Sequence, residues 1–373
     1  MKAGIVIAFI VAVGAILAVA FGGGKDTPTA SPQGDPVEIT FEYSTEKQQW
    51  LESQVAAFEQ ANPDVKVTLV GKGSLEAENA IVDGIDKPTL WSPADSGIAH
   101  LCEADWKTSG SPFATKPEPL VLTPLVFVVW EDRAQVLLDA SKGAITWTSI
   151  HDAVSSPKGW PGLGGKPGWG YVKLGQTDPT KSNSGLQALE LMAYETFGAN
   201  HPLTVEQLME PRFQRLVAET EGGVPHFEAS TGTFMTDMVR FGPSKYDIAV
   251  VYESLAISEL EHAQGRWGSL HIYYPDVTVW SDHPIVTLAS ATPEQKAAAA
   301  RLVSFLRDPR TQATALRFGF RPADPSVSFS TGGDNPFTRA QFGLALELPP
   351  AAPQPDGAVV HNLMMLWSRV ARR

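Results

Sequence analysis

A short apolar strand that runs through a polar turn into an amphipathic helix is the feature that most constrains how this chain folds. Its clearest copy lies at residues 171–198, where the turn contains Ser182, Asn183 and Ser184 and the helix ends at Gly198. Such a helix start presents backbone N–H groups and hydroxyls at the positive end of the helix dipole. The pattern indicates either a binding site for a small oxyanion or carboxylate, or ordinary N-capping. Capping is an alternative because Ser, Asn and Asp are preferred at any helix start.

The same construction recurs along the chain. Alternating strands at 37–41 and 65–69 and a short strand at 89–91 are each followed by a polar turn and a helix. Repeated βα units imply a mostly parallel sheet, in which ligands lie beyond the carboxyl ends of the strands. The polar turns at that edge contain Ser44, Thr45, Ser74, Ser96, Ser182, Asn183 and Ser184, and a buried strand at 246–252 delivers Tyr252 and Glu253 at its end.

Composition limits the class of protein. The chain has 373 residues, of which 43% are hydrophobic and 19% charged, so it is long enough for roughly two globular domains. A net charge of -12 argues against a nucleic-acid partner, for which a basic surface is expected. The single cysteine, Cys102, excludes an internal disulfide and a cysteine-cluster metal site.

The N-terminus predicts export. Lys2 precedes an uncharged, largely apolar run, and residues 1–24 are expected to form a signal peptide or a membrane anchor. Ala18 and Ala20 fit a cleavage site, yet the run is long for a signal peptide, so cleavage and retention both stay open. Residues 25–36 are predicted to form a flexible linker. The body is expected outside the cytoplasm, tethered to the membrane if the N-terminal helix is retained.

The body is expected to form two discontinuous lobes. Pro124 lies within the apolar strand at 120–130, and a proline suits a strand crossing between lobes better than a central one. After Asp282 the chain again contains apolar segments with helix-capping residues, like those in the first part of the chain. These observations predict a first lobe of residues 37–122 plus 284–373 and a second lobe of residues 123–283.

Several segments together resemble bacterial extracellular solute-binding proteins of the type II periplasmic fold, nearest the molybdate-binding-protein-like group. They are the strand with Ser44-Thr45, Gly73-Ser74, Asp178-Pro179 with the Ser/Asn/Ser helix start, the strand ending in Tyr252, and a tail of two helices closed by Gly319-Phe320-Arg321-Pro322. Their order along residues 37–322 carries the resemblance. The resemblance implies an α/β fold of two lobes with the ligand in the cleft between them, and an ABC-type transporter permease as partner.

Carried over position by position, the resemblance implies ligand contacts from Ser44 and Ser74 in the first lobe. It implies Ser182, Asn183 or Ser184 together with Tyr252 in the second; Thr45, Ser96 and Glu253 are candidates at the same edge. An oxyanion such as molybdate or sulfate is one expected ligand. The carboxylates Asp95, Asp178 and Glu253 near the same cleft keep a cation-bearing or neutral solute open, because they repel a dianion. We expect Glu253 to turn outward.

Other functions have little support in the sequence. The chain has neither a Gly-x-Ser-x-Gly elbow nor a His-Glu-x-x-His pair, so we predict no enzyme, no catalytic residue, no metal site and no cofactor. Tyr273 and Tyr274 alternate across one strand, so only one could face a cleft. The alternative function is a membrane-tethered extracellular sensor or scaffold that uses the same fold without a transporter.

Overall fold

The structure, a computed structural model, describes residues 35–329 and 335–371. The predicted signal peptide or anchor at 1–24 lies outside the described residues, as does the predicted linker up to residue 34. Within the described ranges, no helix is both long enough and apolar enough to cross a membrane.

The described residues form twelve strands. In chain order they are β1 (Val37–Tyr43), β2 (Val65–Gly71), β3 (Leu90–Ser92), β4 (Glu118–Pro119), β5 (Val121–Trp130), β6 (Leu174–Thr177), β7 (Phe227–Glu228), β8 (Ile248–Tyr252), β9 (Leu270–Tyr273), β10 (Trp280–Ser281), β11 (Pro284–Thr287) and β12 (Arg321–Pro322).

Thirteen α-helices accompany these strands in the described part of the chain. They are α1 (Gln48–Ala61), α2 (Ser74–Val82), α3 (Ser96–Asp105), α4 (Glu131–Ser141), α5 (Trp147–Val154), α6 (Asn183–Phe197), α7 (Val205–Leu208), α8 (Pro211–Glu221), α9 (Thr231–Phe241), α10 (Glu253–Ala263), α11 (Pro293–Arg307), α12 (Pro309–Ala315) and α13 (Gly357–Val370).

The first sheet has the strand order β2-β1-β3-β11-β4. Strand β1 pairs in parallel with β2 on one side and with β3 on the other, whereas β11 is antiparallel to β3. Ile39 and Phe41 alternate along β1 and are buried in one core cluster with residues of α1 and α11. Because β1, β2 and β3 are parallel, the turns that follow them lie at one edge of the sheet.

The second sheet is built around β5. Near its start β5 pairs with β10 and β12, and further along it pairs antiparallel with β8 and β9. Pro124 lies at the change of partners, opposite Trp280 of β10. Strand β6 is parallel to β8, so the turn after β6 and the end of β8 at Tyr252 share one edge.

Two mixed sheets covered by helices confirm the predicted two-lobed α/β fold. The residue limits of the two lobes stay a prediction. The last helix, α13, packs on α6, α7 and α8 and also on α3, which follows strand β3 of the first sheet. Its Trp367 is buried there, and the indole N–H donates to Glu221 at 3.0 Å.

Candidate functional site

A narrow cavity of about 10 Å³ lies between the turns of the first sheet and the helix starts of the second. The turns after β1, β2 and β3 contribute one wall, and the starts of α6 and α9 with the end of β8 contribute the other. Seven lining residues carry a hydroxyl: Ser44, Thr45, Ser74, Ser182, Ser230, Thr231 and Tyr252. We call this space the hydroxyl cavity.

Three helices begin at this cavity without a side-chain cap. Helix α2 follows Gly73, which has no side chain, and the N-cap residues of α6 and α9, Ser182 and Ser230, accept no hydrogen bond from the first turn. Some helices elsewhere are closed by their own N-cap side chains, as at Asp95, Thr146 and Thr292, whereas α1, α4 and α8 are uncapped like the three at the cavity. Uncapped starts leave backbone N–H groups unsatisfied at the positive end of the dipole, where an anion is stabilised.

Gly73 allows the two walls to approach each other. A Cβ atom at this position would lie 2.8 Å from the carbonyl oxygen of Lys181, in the turn before α6. This distance is shorter than real Cβ contacts, and the opposing atom belongs to the backbone, so any side chain here would push the walls apart. The small residue therefore fixes how narrow the cavity is.

A buried lysine lies directly behind Ser44. The Nζ atom of Lys47 donates to Ser44 Oγ and to the carbonyl oxygen of Pro93 at 3.3 Å, and it lies 3.0 Å from Nδ1 of His283. Burial lowers the pKa of Lys47 to about 8, while the nearby Glu46 and Asp282 raise it. Lys47 is thus mostly charged at neutral pH, and its ammonium polarises the Ser44 hydroxyl toward the cavity.

Glu46 brings a carboxylate to the same cavity. Its side chain is 4% exposed, and its Oε1 lies 4.0 Å from Lys47 Nζ and 3.3 Å from His283 Nδ1. Burial, followed by the charge of Lys47, lowers the pKa of His283 well below its usual range, so that imidazole is neutral. Glu46 Oε1 has no hydrogen-bond partner among the described residues. It is an acceptor that a ligand with an O–H or N–H group would satisfy.

The second wall is a network of hydroxyls at the start of α6. Ser184 Oγ lies 2.8 Å from Thr177 Oγ1 and 2.7 Å from Thr231 Oγ1, and Ser182 Oγ lies 3.2 Å from Thr231 Oγ1. Ser184 is fully buried and is not part of the lining, so it supports the lining hydroxyls from beneath. Mutual bonding fixes their positions before any ligand arrives.

Asn183 and Tyr252 complete this wall. The Nδ2 atom of Asn183 donates to the Tyr252 hydroxyl at 3.2 Å. Burial, and next the charge of Glu46, raises the pKa of Tyr252 well above its usual value, so the phenol keeps its proton at neutral pH. Tyr252 is therefore a neutral donor.

Comparison with known proteins identifies the family. A family model described as bacterial extracellular solute-binding protein matches residues 39–321. The chain belongs to this family.

Two relatives of this solute-binding protein come from Mycobacterium tuberculosis. The uncharacterized proteins Rv1836c (strain ATCC 25618 / H37Rv) and MT1884 (strain CDC 1551 / Oshkosh) are each 24% identical to it over 257 residues. The alignments cover 65% of this chain and 36% of each relative. The chain thus spans about a third of the length of these relatives.

Solved structures share the fold. The sulfate-binding protein SubI from Mycobacterium tuberculosis H37Rv is 18% identical, with a TM-score of 0.56 over 84% of this chain and 93% of that one. A periplasmic thiamin binding protein is 13% identical, with a TM-score of 0.64 over 93% and 99%. AfuA from Actinobacillus pleuropneumoniae is 14% identical, with a TM-score of 0.62 over 90% and 98%. The predicted resemblance to type II solute-binding proteins is confirmed.

The solute-binding protein brings most of the predicted contact residues to the hydroxyl cavity, and their role in binding stays a prediction. Its lining includes Ser44, Thr45, Ser74, Ser182, Asn183 and Tyr252. Lining residues that the sequence analysis left out of the site are Glu46, Lys72, Ser230 and Thr231. Of these four residues, Ser230 and Thr231 could have been found from the sequence, because they form a polar helix start at α9 like the one at Ser182.

Two predicted contact residues lie elsewhere in the solute-binding protein. Ser96 is bound to Asp282, to which its backbone N–H donates at 2.8 Å, and it does not line the hydroxyl cavity. Glu253 is fully buried and accepts two hydrogen bonds of 2.8 Å from Arg321 and one from the Tyr274 hydroxyl. Arg321 holds the Glu253 carboxylate away from the hydroxyl cavity, so the structure does not bring Glu253 together with the other predicted contact residues.

Proposed function

We propose that this solute-binding protein captures a small tetrahedral oxyanion in the hydroxyl cavity, whose two walls separate to admit it. The observation that carries the proposal is the convergence of three uncapped helix starts, at Gly73, Ser182 and Ser230, on one hydroxyl-lined space. Backbone N–H groups and hydroxyls can bind an anion, and Lys72 in the same lining adds a positive charge. The structural neighbour SubI is a sulfate-binding protein, which agrees with this ligand class.

The charges around the cavity decide which oxyanion fits. Lys47 supplies a positive charge through Ser44, and Glu46 supplies a negative one. Repulsion between Glu46 and a bound anion amounts to roughly 1–4 kcal/mol at about 4 Å. Two or three charge-assisted hydrogen bonds, each about 1.5–3 kcal/mol, offset it.

The Glu46 carboxylate, whose Oε1 accepts no hydrogen bond from the described residues, favours an oxyanion that carries its own proton. Hydrogen phosphate has an O–H group to donate to Glu46 Oε1, whereas sulfate and molybdate have none at neutral pH. We therefore rank a singly protonated oxyanion above sulfate and molybdate for this cavity.

We infer that the captured solute passes to the permease of an ABC-type uptake transporter, as is expected of an exported solute-binding protein. Membrane attachment through residues 1–24 belongs to the same proposal. A tethered sensor or scaffold is the alternative function. Genes for a permease and an ATPase beside this one would support uptake, and their absence would support the sensor.

A thermal-shift screen of the purified protein tests the ligand class. The panel contains phosphate, sulfate, molybdate and tungstate, with neutral sugars and amino acids as comparison solutes. A ligand that binds the native state raises the melting temperature, and the stabilisation grows with the logarithm of the ligand concentration relative to Kd. We expect phosphate to give the largest rise. A rise with a neutral solute and with no oxyanion would refute the proposal.

A further inference from the structure

A second and larger cavity, of about 190 Å³, lies beside the hydroxyl cavity. Its walls are the start of α3, the first half of α6, the segment 279–282 around β10 and the segment 352–355 before α13. Asn183 lines both cavities, and the other lining residues differ. We call this second space the carboxyl cavity, after Asp95, Glu190 and Asp282 in its lining.

Two of these carboxylates already have donors. Asp95 accepts from the backbone N–H of Gly97 at 2.6 Å, from Gln187 at 3.1 Å and from Gln354 at 2.8 Å. Asp282 accepts from Ser96. Their positions are therefore fixed by the protein.

Glu190 differs from them. It is 7% exposed, lines the cavity, and makes no hydrogen bond or ion pair with any other described residue. A buried carboxylate without a donor is strongly destabilising unless it is neutralised or paired. Burial, and then the charge of Asp95, raises the pKa of Glu190 well above its usual range, and burial followed by Asp282 raises that of Asp95 to about 7. Without a ligand Glu190 therefore holds its proton, and a bound cation would lower this pKa and pair with the ionised carboxylate.

The remaining lining residues indicate which class of cation would fit the cavity. No lysine, arginine or histidine lines the cavity, and no group of three metal-ligating side chains in the described residues is arranged to hold a metal ion. Leu186, Val279 and Trp280 supply an apolar wall. This combination suits an ammonium group joined to an apolar carbon skeleton, because the ammonium can donate to Glu190 while the skeleton packs on the wall.

We propose that the carboxyl cavity is a second ligand site, which binds a small organic ammonium ion with Glu190 as its principal acceptor. This site is independent of oxyanion capture in the hydroxyl cavity.

The test compares benzylamine, protonated at pH 7.5, with its neutral analogue benzyl alcohol by calorimetric titration of the purified protein. We expect benzylamine to bind and benzyl alcohol to bind at least tenfold more weakly, because only the ammonium pairs with Glu190. Equal binding of the two, or no binding of benzylamine, would overturn the proposal. Stronger binding of magnesium ion than of benzylamine would overturn it as well.

Variants locate the site. Glu190→Gln keeps the shape of the side chain and should weaken benzylamine binding at least tenfold, with oxyanion binding unchanged. Glu103→Gln, an exposed change of the same charge on α3, is the matched control and should leave benzylamine binding at the wild-type value. Benzylamine binding that survives Glu190→Gln would place the cation elsewhere and sink the assignment. Because the oxyanion titration is separate, its failure would leave this result standing.

Discussion

The pair formed by Arg321 and Glu253 gives the sharpest prediction about stability. Both side chains are buried, with exposures of 6% and 0%, and two hydrogen bonds of 2.8 Å join them. Arg321 also donates to the carbonyl oxygens of Ala345 at 2.6 Å and Leu346 at 2.9 Å. It therefore links the start of α10 to a segment that precedes α13.

Arg321→Met removes these bonds and leaves Glu253 buried with Tyr274 as its donor. Breaking a buried ion pair from one side costs about 3–5 kcal/mol, and each carbonyl that loses its donor adds about 0.5–1.5 kcal/mol. We expect the free energy of unfolding to fall by about 4 kcal/mol or more. Urea unfolding followed by tryptophan fluorescence measures this change.

The loss of stability caused by Arg321→Met should depend on pH. Burial raises the pKa of Glu253 even in the intact pair, and removal of Arg321 raises it further. Protonation at pH 5 then relieves the unpaired charge, so the loss should be smaller at pH 5 than at pH 8. The control, Arg301→Met, breaks a half-exposed pair with Asp64 and should have a much smaller effect. A loss below about 1 kcal/mol, or equal losses at both pH values, would refute the reasoning.

Three further predictions concern the cavity and pH. Glu46→Gln should raise sulfate affinity relative to phosphate affinity by about tenfold, because the variant loses both the charge that repels an anion and the carboxylate that accepts the phosphate O–H. Competition titration measures the ratio of the two affinities, and an unchanged ratio would contradict this prediction. Gly73→Val should abolish oxyanion binding in calorimetry by collision with Lys181, and wild-type affinity would contradict it. Burial raises the pKa of Glu221 to about 7, so its contribution to stability is full below about pH 4.5 and is lost as pH rises through 7. Glu221→Gln should therefore flatten the fall of stability between pH 5 and pH 8 in urea unfolding, by up to about 1.4 kcal/mol per pH unit, and an unchanged slope would count against it.

The strand–turn–helix pattern predicted much of this architecture because it is local. The turns at Ser44, Ser74 and Ser182 follow strands whose alternation is visible in the sequence, and parallel pairing then brings them to sheet edges that face each other. Strand pairing alone brings these turns together, whichever ligand binds there. The confirmed fold class rests on the same periodicity.

The contacts that set the charge of the site could not be read from the sequence. Lys47 meets His283 across 236 positions, and Glu253 meets Arg321 across 68. Tyr252 and Glu253 are adjacent, yet Tyr252 lines the cavity while Glu253 pairs with Arg321. Sequence adjacency indicated a shared site, and only the position of Arg321 shows otherwise.

Capture of an oxyanion by the hydroxyl cavity is the central claim, and a matched pair of tyrosine variants tests it most directly. Calorimetric titration of phosphate into wild type should show binding of one ion per chain. Tyr252→Phe removes one donor from the cavity and should weaken binding by about 3–10-fold, the value of one hydrogen bond. Tyr274→Phe removes a hydroxyl that bonds Glu253 outside the cavity and should leave the affinity unchanged. No heat with phosphate, sulfate or molybdate, or equal affinity in wild type and Tyr252→Phe, would contradict the claim.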